Sequence, residues 1–168
     1  RGIPDPLMRV RFPPGALKNM KFELSAGGLV YKKENGKIFI LVAQHSQHHG
    51  WVFPKGLINE KSNVKSQMLN VVRETKEEAA LREVKEETGI NGKIIKPLSP
   101  ITYWYELENV KIKKTVYYFL MEYVSGDTKE HDFEMENVEW LPINEVEKRL
   151  TYRSDKEVWE KARILISN

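Results

Sequence analysis

The run Arg82-Glu83-Val84-Lys85-Glu86-Glu87-Thr88-Gly89-Ile90 constrains this 168-residue chain more than any other segment. Written as a helix from about Thr75 to Thr88, with Gly89 as its C-cap, it gathers Glu83, Glu86 and Glu87 on one side, because residues three and four apart share a face. Leu81, Val84 and Thr88 fall on another face, which can pack on a sheet. Like charges at this spacing repel by about 0.2–0.5 kcal/mol per pair. They also crowd the C-terminal half of the helix, where the macrodipole disfavours anions. The cluster is destabilising without a balancing cation. Hard divalent cations take oxygen ligands, and magnesium is commonly held by one or two carboxylates plus substrate phosphates. The competing explanation is a solvated acidic face with Lys76 and Lys85 as neighbours.

Around this helix the chain reads as interleaved strands and helices. Phe22 to Tyr31 and Lys37 to Ala43 are β-rich and flank a turn at Glu34-Asn35-Gly36, a hairpin with a longer loop. Trp51-Val52-Phe53-Pro54 is a short apolar piece ending at Lys55-Gly56. Further strands are expected at Gly92–Ile95, Ile101–Glu106, Thr115–Val124 and Val138–Pro142. A last helix, or pair of helices, starts near Asn144 and resumes after Ser154-Asp155, read as an N-cap. The expected fold is α+β, with helices packed on a central mixed sheet.

Composition excludes several classes. No apolar run approaches the roughly 20 residues that span a bilayer, and no charged-then-apolar leader is present. The absence of cysteine removes disulfides, thiolate metal sites and cysteine nucleophiles, and fits a cytoplasmic location. A net charge of +3 suits a small anionic ligand, whereas a stable nucleic-acid partner would call for a denser basic stripe. His45, His48 and His49 do not make a zinc site, because only His131 remains as a further histidine.

The segment Arg82 to Ile90, with Glu74 eight residues before Arg82 and Ala79-Ala80-Leu81 between, resembles the second half of the Nudix signature. Ser25-Ala26-Gly27-Gly28 and Trp51-Val52-Phe53-Pro54-Lys55-Gly56 look like its flanking context, and the resemblance covers Met20 to Asn168. It implies an α/β/α sandwich with a loop–helix catalytic box. One departure stands out. The signature glycine belongs six residues before Glu74, where Met68 stands, while Gly56 lies eighteen before it. About twelve extra residues therefore form an insertion near 59–73, whose Met68, Leu69, Val71 and Val72 suggest a short helix over the site or against a partner. Lengthening a loop costs little, roughly 0.6 kcal/mol per doubling. The look-alike Arg73-Glu74-Thr75-Lys76-Glu77-Glu78 is rejected, because Ala80 replaces its closing glycine.

The resemblance implies one to three magnesium ions, with manganese as a substitute, held by Glu83, Glu86, Glu87 and the Gly56 carbonyl. It pairs Arg82 with Glu74, and makes Glu83 or Glu134 the base that takes a proton from the attacking water. Lys55, Lys114 and His48 are candidate phosphate contacts, and Tyr103, Tyr105 and Tyr117 candidate stacking groups for a base, with core packing as the alternative for the tyrosines. Within the family the look is towards prokaryotic asymmetric diadenosine tetraphosphate hydrolases, so a metal-dependent hydrolase of a phosphoanhydride in a nucleoside diphosphate derivative is expected. Nucleoside triphosphates, ADP-ribose, RNA 5′ ends and inositol pyrophosphates are the alternative substrates, and a noncatalytic nucleotide sensor the alternative class. The pattern leaves the oligomeric state open.

Arg1 to Asn19 carries four prolines and two glycines without periodicity, and reads as an irregular extension. Arg9 to Ala16 resembles the translated 3′ arm of a transfer-RNA gene, which makes Met20 the expected native start and the upstream residues a misassigned start or a cloning remnant. An ordered arm covering a sheet edge is the alternative. Intact-mass spectrometry of protein from its natural source is expected to give a terminus at Met20; an intact terminus upstream would refute it.

Overall fold

The structure is a computed structural model that describes residues 20–62 and 71–167. The N-terminal extension and the apolar pair Met68 and Leu69 lie outside these residues. In chain order the elements are β1 (Met20–Glu34), β2 (Lys37–His45), β3 (Trp51–Val52), β4 (Lys55–Leu57), β5 (Glu60–Ser62) and β6 (Val71–Arg73). They continue with α1 (Lys76–Thr88), β7 (Ile90–Pro97), β8 (Ile101–Leu107), β9 (Val110–Gly126), β10 (Met135–Pro142), α2 (Val146–Arg149) and α3 (Arg153–Ile166).

β1 is the spine of an eight-stranded mixed sheet with core order β10-β2-β1-β9-β7. It pairs in parallel with β9 from Met20 to Tyr31, while β2 and β4 run antiparallel to it. From Ser25 to Val30 every residue of β1 is buried, because both faces are covered. Alternation along the strands sorts side chains into two core layers. Leu29, Val116, Tyr118 and Leu120 pack against Val146 of α2, its C-cap Leu150, and Val158 and Trp159 of α3. Ala26, Val30, Phe119 and Met121 pack against Ala79, Ala80 and Val84 of α1. The result is the helix–sheet–helix sandwich, and among the described residues no helix is long and apolar enough to cross a membrane.

Local chemistry sets the ends of these elements. Thr75 caps α1 by accepting the Glu78 N–H at 3.1 Å, and the Glu78 carboxylate accepts the Thr75 N–H at 3.1 Å, a reciprocal capping box. Gly89 closes the helix at φ +76°, where a Cβ would meet the Asp127 carbonyl oxygen. The β1–β2 turn is tighter than expected. Asn35 and Gly36 both take positive φ, so Glu34 pairs directly with Lys37 across a two-residue turn. Glu108 and Asn109 do the same between β8 and β9, which carries β9 back to Val110 instead of starting near Thr115.

Three further expectations change. Leu81 is exposed rather than packed on the sheet. The described flanks of the insertion are strands: β5 and β6 form an antiparallel hairpin that includes Val71 and Val72. Asp155 lies within the first turn of α3 and faces inward, so neither it nor Ser154 is the N-cap; Tyr152 holds that position without a side-chain bond.

The capping box gives a clean test of α1. Replacing Thr75 by Ala should cost about 1 kcal/mol, read as a lower denaturant midpoint at unchanged slope.

Candidate active site

Arg82 organises the start of the site. Its Nε and one terminal nitrogen donate to the two oxygens of Glu74 at 2.8 and 2.9 Å, a two-pronged grip suited to a planar guanidinium. The same nitrogen donates to the Leu57 carbonyl at 3.0 Å, and the other reaches Glu83 at 2.7 Å and Glu86 at 3.2 Å. The hydrogen bond to Glu74 leads the influences that raise the Arg82 pKa, with those to Glu83 adding to it. Glu74 also closes the segment expected to be an insertion: its N–H donates to the Asn59 carbonyl at 2.9 Å, and its carboxylate accepts the Asn59 N–H at 3.0 Å.

The three helix carboxylates are not equivalent. Glu83 and Glu87 are buried, while Glu86 is open at the edge of α1. Burial is the largest influence on Glu83 and raises its pKa against the pull of Arg82. Burial likewise holds Glu87 well above the usual carboxylate range, with Lys55 opposing and Glu83 and Glu134 adding like charge. Gly56 stands directly against Glu83: a Cβ there would fall 2.1 Å from the carboxyl carbon. Its neighbour Lys55 donates its backbone N–H to Glu87 at 3.1 Å. β4 thus lies on the carboxylates with no room for a side chain at 56.

The resemblance asks for a divalent cation here, and the residues fit one. Two buried carboxylates lie beside a backbone strand, and the donors are all oxygens, which suits a hard cation. Their burial disfavours the charged form, a penalty that a bound dication would offset. Among the described residues no three acidic or histidine side chains are gathered into a ready ligand set, consistent with Arg82 holding Glu83 and Glu86. A cation would compete with that guanidinium for Glu83.

A cleft of about 180 Å³ opens from Glu87. It brings Lys55, Lys114, Tyr103, His48 and Glu134 together, with His45 as a wall residue. Among the described residues the Lys55 ammonium has no hydrogen-bond or ion-pair partner; burial lowers its pKa, but Asp155, Tyr103 and Glu87 outweigh this and raise it. Asp155, buried on α3, accepts the Phe53 N–H at 2.9 Å; burial raises its pKa while Lys55 and that bond lower it. His48 is stacked on His45 with ring centres 4.2 Å apart, and its Nδ1 meets the Tyr152 hydroxyl at 2.7 Å and the Gly50 N–H at 3.1 Å. Burial, with the neighbouring cations, lowers the His48 pKa to about 4. Near neutral pH it offers the cleft an uncharged ring rather than a cation.

Two expected substrate contacts fall elsewhere. Tyr105 donates its hydroxyl to Glu23 at 2.7 Å, outside the cleft lining. Tyr117 lies on the α1 side of the sheet under the Lys76 ammonium, 4.0 Å from the ring centre, because β9 alternates and only its even-numbered neighbours Lys114, Val116 and Tyr118 face the other way. Two residues that the sequence pattern does not single out join the site: His45 in the cleft wall, and Asp155 behind it, bracing Phe53. Asp155 was detectable: it sits in register with Val158, Trp159, Ala162 and Ile166 on the buried face of α3, where a carboxylate needs a partner.

A helix–sheet–helix sandwich with buried carboxylates at a strand–loop–helix junction, beside a cleft lined by two lysines, has the form expected of the Nudix architecture. Comparison agrees: residues 21–162 match the NUDIX domain model, and the chain belongs to the Nudix hydrolase family. It is 34% identical over 150 residues to a protein of Mycobacterium tuberculosis (strain CDC 1551 / Oshkosh) that carries the name mutator protein MutT4, a match covering 86% of this chain and 56% of that relative. The chain therefore spans about half the length of the curated relatives it matches. Among solved structures, an Ap4A hydrolase of C. elegans in a binary complex superposes with TM-score 0.60 at 22% identity, covering 86% of this chain and 98% of that one. The NUDIX domain of Shewanella oneidensis NrtR, complexed with ADP ribose, gives 0.62 at 19%, covering 93% and 94%. These structural likenesses establish the shared fold.

Gly56→Ala is the sharpest probe of the cation reading. The added methyl has to displace β4 or Glu83, so manganese affinity by calorimetry is expected to fall roughly 10–100-fold with the fold retained by circular dichroism. Unchanged affinity would remove Gly56 from the site.

Proposed function

We propose that this protein is a magnesium-dependent pyrophosphohydrolase that cuts a phosphoanhydride bond of a nucleoside diphosphate derivative, with a dinucleoside polyphosphate such as diadenosine tetraphosphate as the preferred substrate. The observation that carries this reading is one cleft lined by the buried carboxylate of Glu87, by Glu134 and by two lysines, Lys55 and Lys114. A polyphosphate bridge concentrates negative charge, and Lys55 and Lys114 bring two cations to the one cleft.

Glu83, Glu86, Glu87 and the Gly56 carbonyl would hold the magnesium, for which manganese can substitute. When bound, it supplies neutralisation of phosphate charge, a lowered pKa for the attacking water and in-line alignment. Glu83 or Glu134 accepts the proton from that water. Arg82 and Glu74 act at one remove, by fixing the junction on which Glu83 and β4 meet. Tyr103 and the uncharged face of His48 provide the flat surfaces of the cleft, suited to a base or ribose at the end of the phosphates. About 180 Å³ is small against ordinary ligand cavities of roughly 300–1,000 Å³. The cleft then grips phosphates while the nucleoside ends extend beyond it, which favours long bridged substrates.

A second reading has a specific support: the Shewanella NUDIX domain of comparable likeness is complexed with ADP ribose. A nucleoside diphosphate linked to a sugar therefore remains the principal rival substrate class.

A hydrolysis panel over diadenosine tetraphosphate, nucleoside triphosphates, ADP-ribose and capped RNA, with and without magnesium, tests both. The expected products from the first are a nucleoside triphosphate and a monophosphate, with turnover abolished by chelation. The pair Glu86→Gln and Glu87→Gln should together lower kcat by roughly 10²–10⁴-fold. Undiminished turnover in that double variant overturns the mechanism, and failure on every phosphoanhydride overturns the activity.

A further inference from the structure

Lys114 sits where three strands meet in register. Across the parallel ladder its neighbour on β1 is Glu23, and across the antiparallel ladder its neighbour on β8 is Tyr103. Directly opposed residues on one face interact, so the row presents a carboxylate, an ammonium and a phenol side by side. Tyr105 lies two residues beyond Tyr103 on the same face, and its hydroxyl donates to one Glu23 oxygen at 2.7 Å. Lys21 pairs with the other Glu23 oxygen at 3.2 Å. The Lys114 ammonium is 4.0 Å from Glu23, and the two side chains are only 18% and 11% exposed. Glu23 is therefore pinned from two sides and faces the cleft lysine on a third.

We propose that Glu23, clamped by Tyr105, is a positioning residue that fixes the Lys114 ammonium in the cleft and holds its charge there. This rests on the reading above, in which Lys114 meets the polyphosphate. Glu23 acts through Lys114 and touches no substrate itself. The expectation that Tyr105 contacts substrate is replaced by this second-hand role, because its hydroxyl is committed to Glu23.

The electrostatics run in the same sense. Burial is the largest influence on Lys114 and brings its pKa down to about 8, and Lys55 of β4 pushes the same way. Glu23 leads the opposition, followed by Glu87 and Glu83 of α1. Tyr103 of β8, His45 and His48 at the end of β2 and Glu134 before β10 complete the titratable groups of the cleft. Of the acids, Glu23 is the one set beside Lys114 in the strand register. A lysine losing its proton near pH 8 loses its grip on phosphate above that pH, so kcat/KM should fall on the alkaline side. Removing the Glu23 charge lowers the Lys114 pKa and moves that fall to lower pH.

The test uses the full chain with 13C-labelled lysine, following Lys114 by NMR against pH, with its resonance assigned by its loss in Lys114→Arg. In Glu23→Gln the Lys114 titration is expected at lower pH than in the wild type. KM for diadenosine tetraphosphate at pH 8 should rise roughly three- to tenfold with kcat less affected. Glu23→Asp, which keeps the charge, should restore much of both, a rescue that a purely structural role for Glu23 would not show. An unchanged Lys114 titration in a folded Glu23→Gln protein overturns the proposal. A shifted titration with an unmoved KM upholds the Glu23–Lys114 coupling and overturns instead the phosphate role of Lys114.

Discussion

The guanidinium of Arg82 is the tie on which the site depends. One side chain joins the first residue after the insertion, the strand that overlies the carboxylates, and two acids of the helix. Helix propensity and sheet pairing each account for their own elements, but neither brings β4 and α1 to a common point. A planar cation with five donors does this at one position, and a lysine there would satisfy only part of the set. The pairing also offsets the repulsion between Glu83 and Glu86, because the protein carries a cation of its own beside them, one that a metal would have to displace or share.

The second constraint is the two-sided burial of β1. Because both faces are covered, its residues divide by parity between the α1 layer and the α3 layer, and the site draws on both. Carboxylates reach it from α1, and Lys114 and Tyr103 reach it from the opposite face of the sheet. Asp155 extends that second contribution from α3. It fixes the backbone at Phe53, two residues before Lys55, so the far helix braces the same segment that Arg82 holds from the near one.

What the sequence made readable follows from the range of the forces involved. The helix from Thr75, its glycine stop and the alternating strands rest on local chemistry, and α1 lies at Lys76–Thr88 with Thr75 as cap. The family signature gave the sandwich, which local pattern alone left as a mixed sheet with helices. The convergence of Lys55, Lys114, Tyr103, His48 and Glu134 depends on strand order and register, which spacing along the chain does not encode. Tyr105 and Tyr117 show the cost. Both sit on strands beside cleft residues, yet one is committed to Glu23 and the other points to the wrong face. Asp155 resembles a cap because an acid at a helix start usually is one, and only its place in the apolar stripe of α3 says otherwise.

The neck of the insertion has a different kind of consequence. Asn59 and Glu74 are joined by reciprocal hydrogen bonds, with the β5–β6 pairing beyond them, so the chain leaves and re-enters the catalytic junction at a single fixed point. Mechanically this is a socket. Whatever the chain carries past it can change in length or composition without passing strain to Arg82, Gly56 or Glu83.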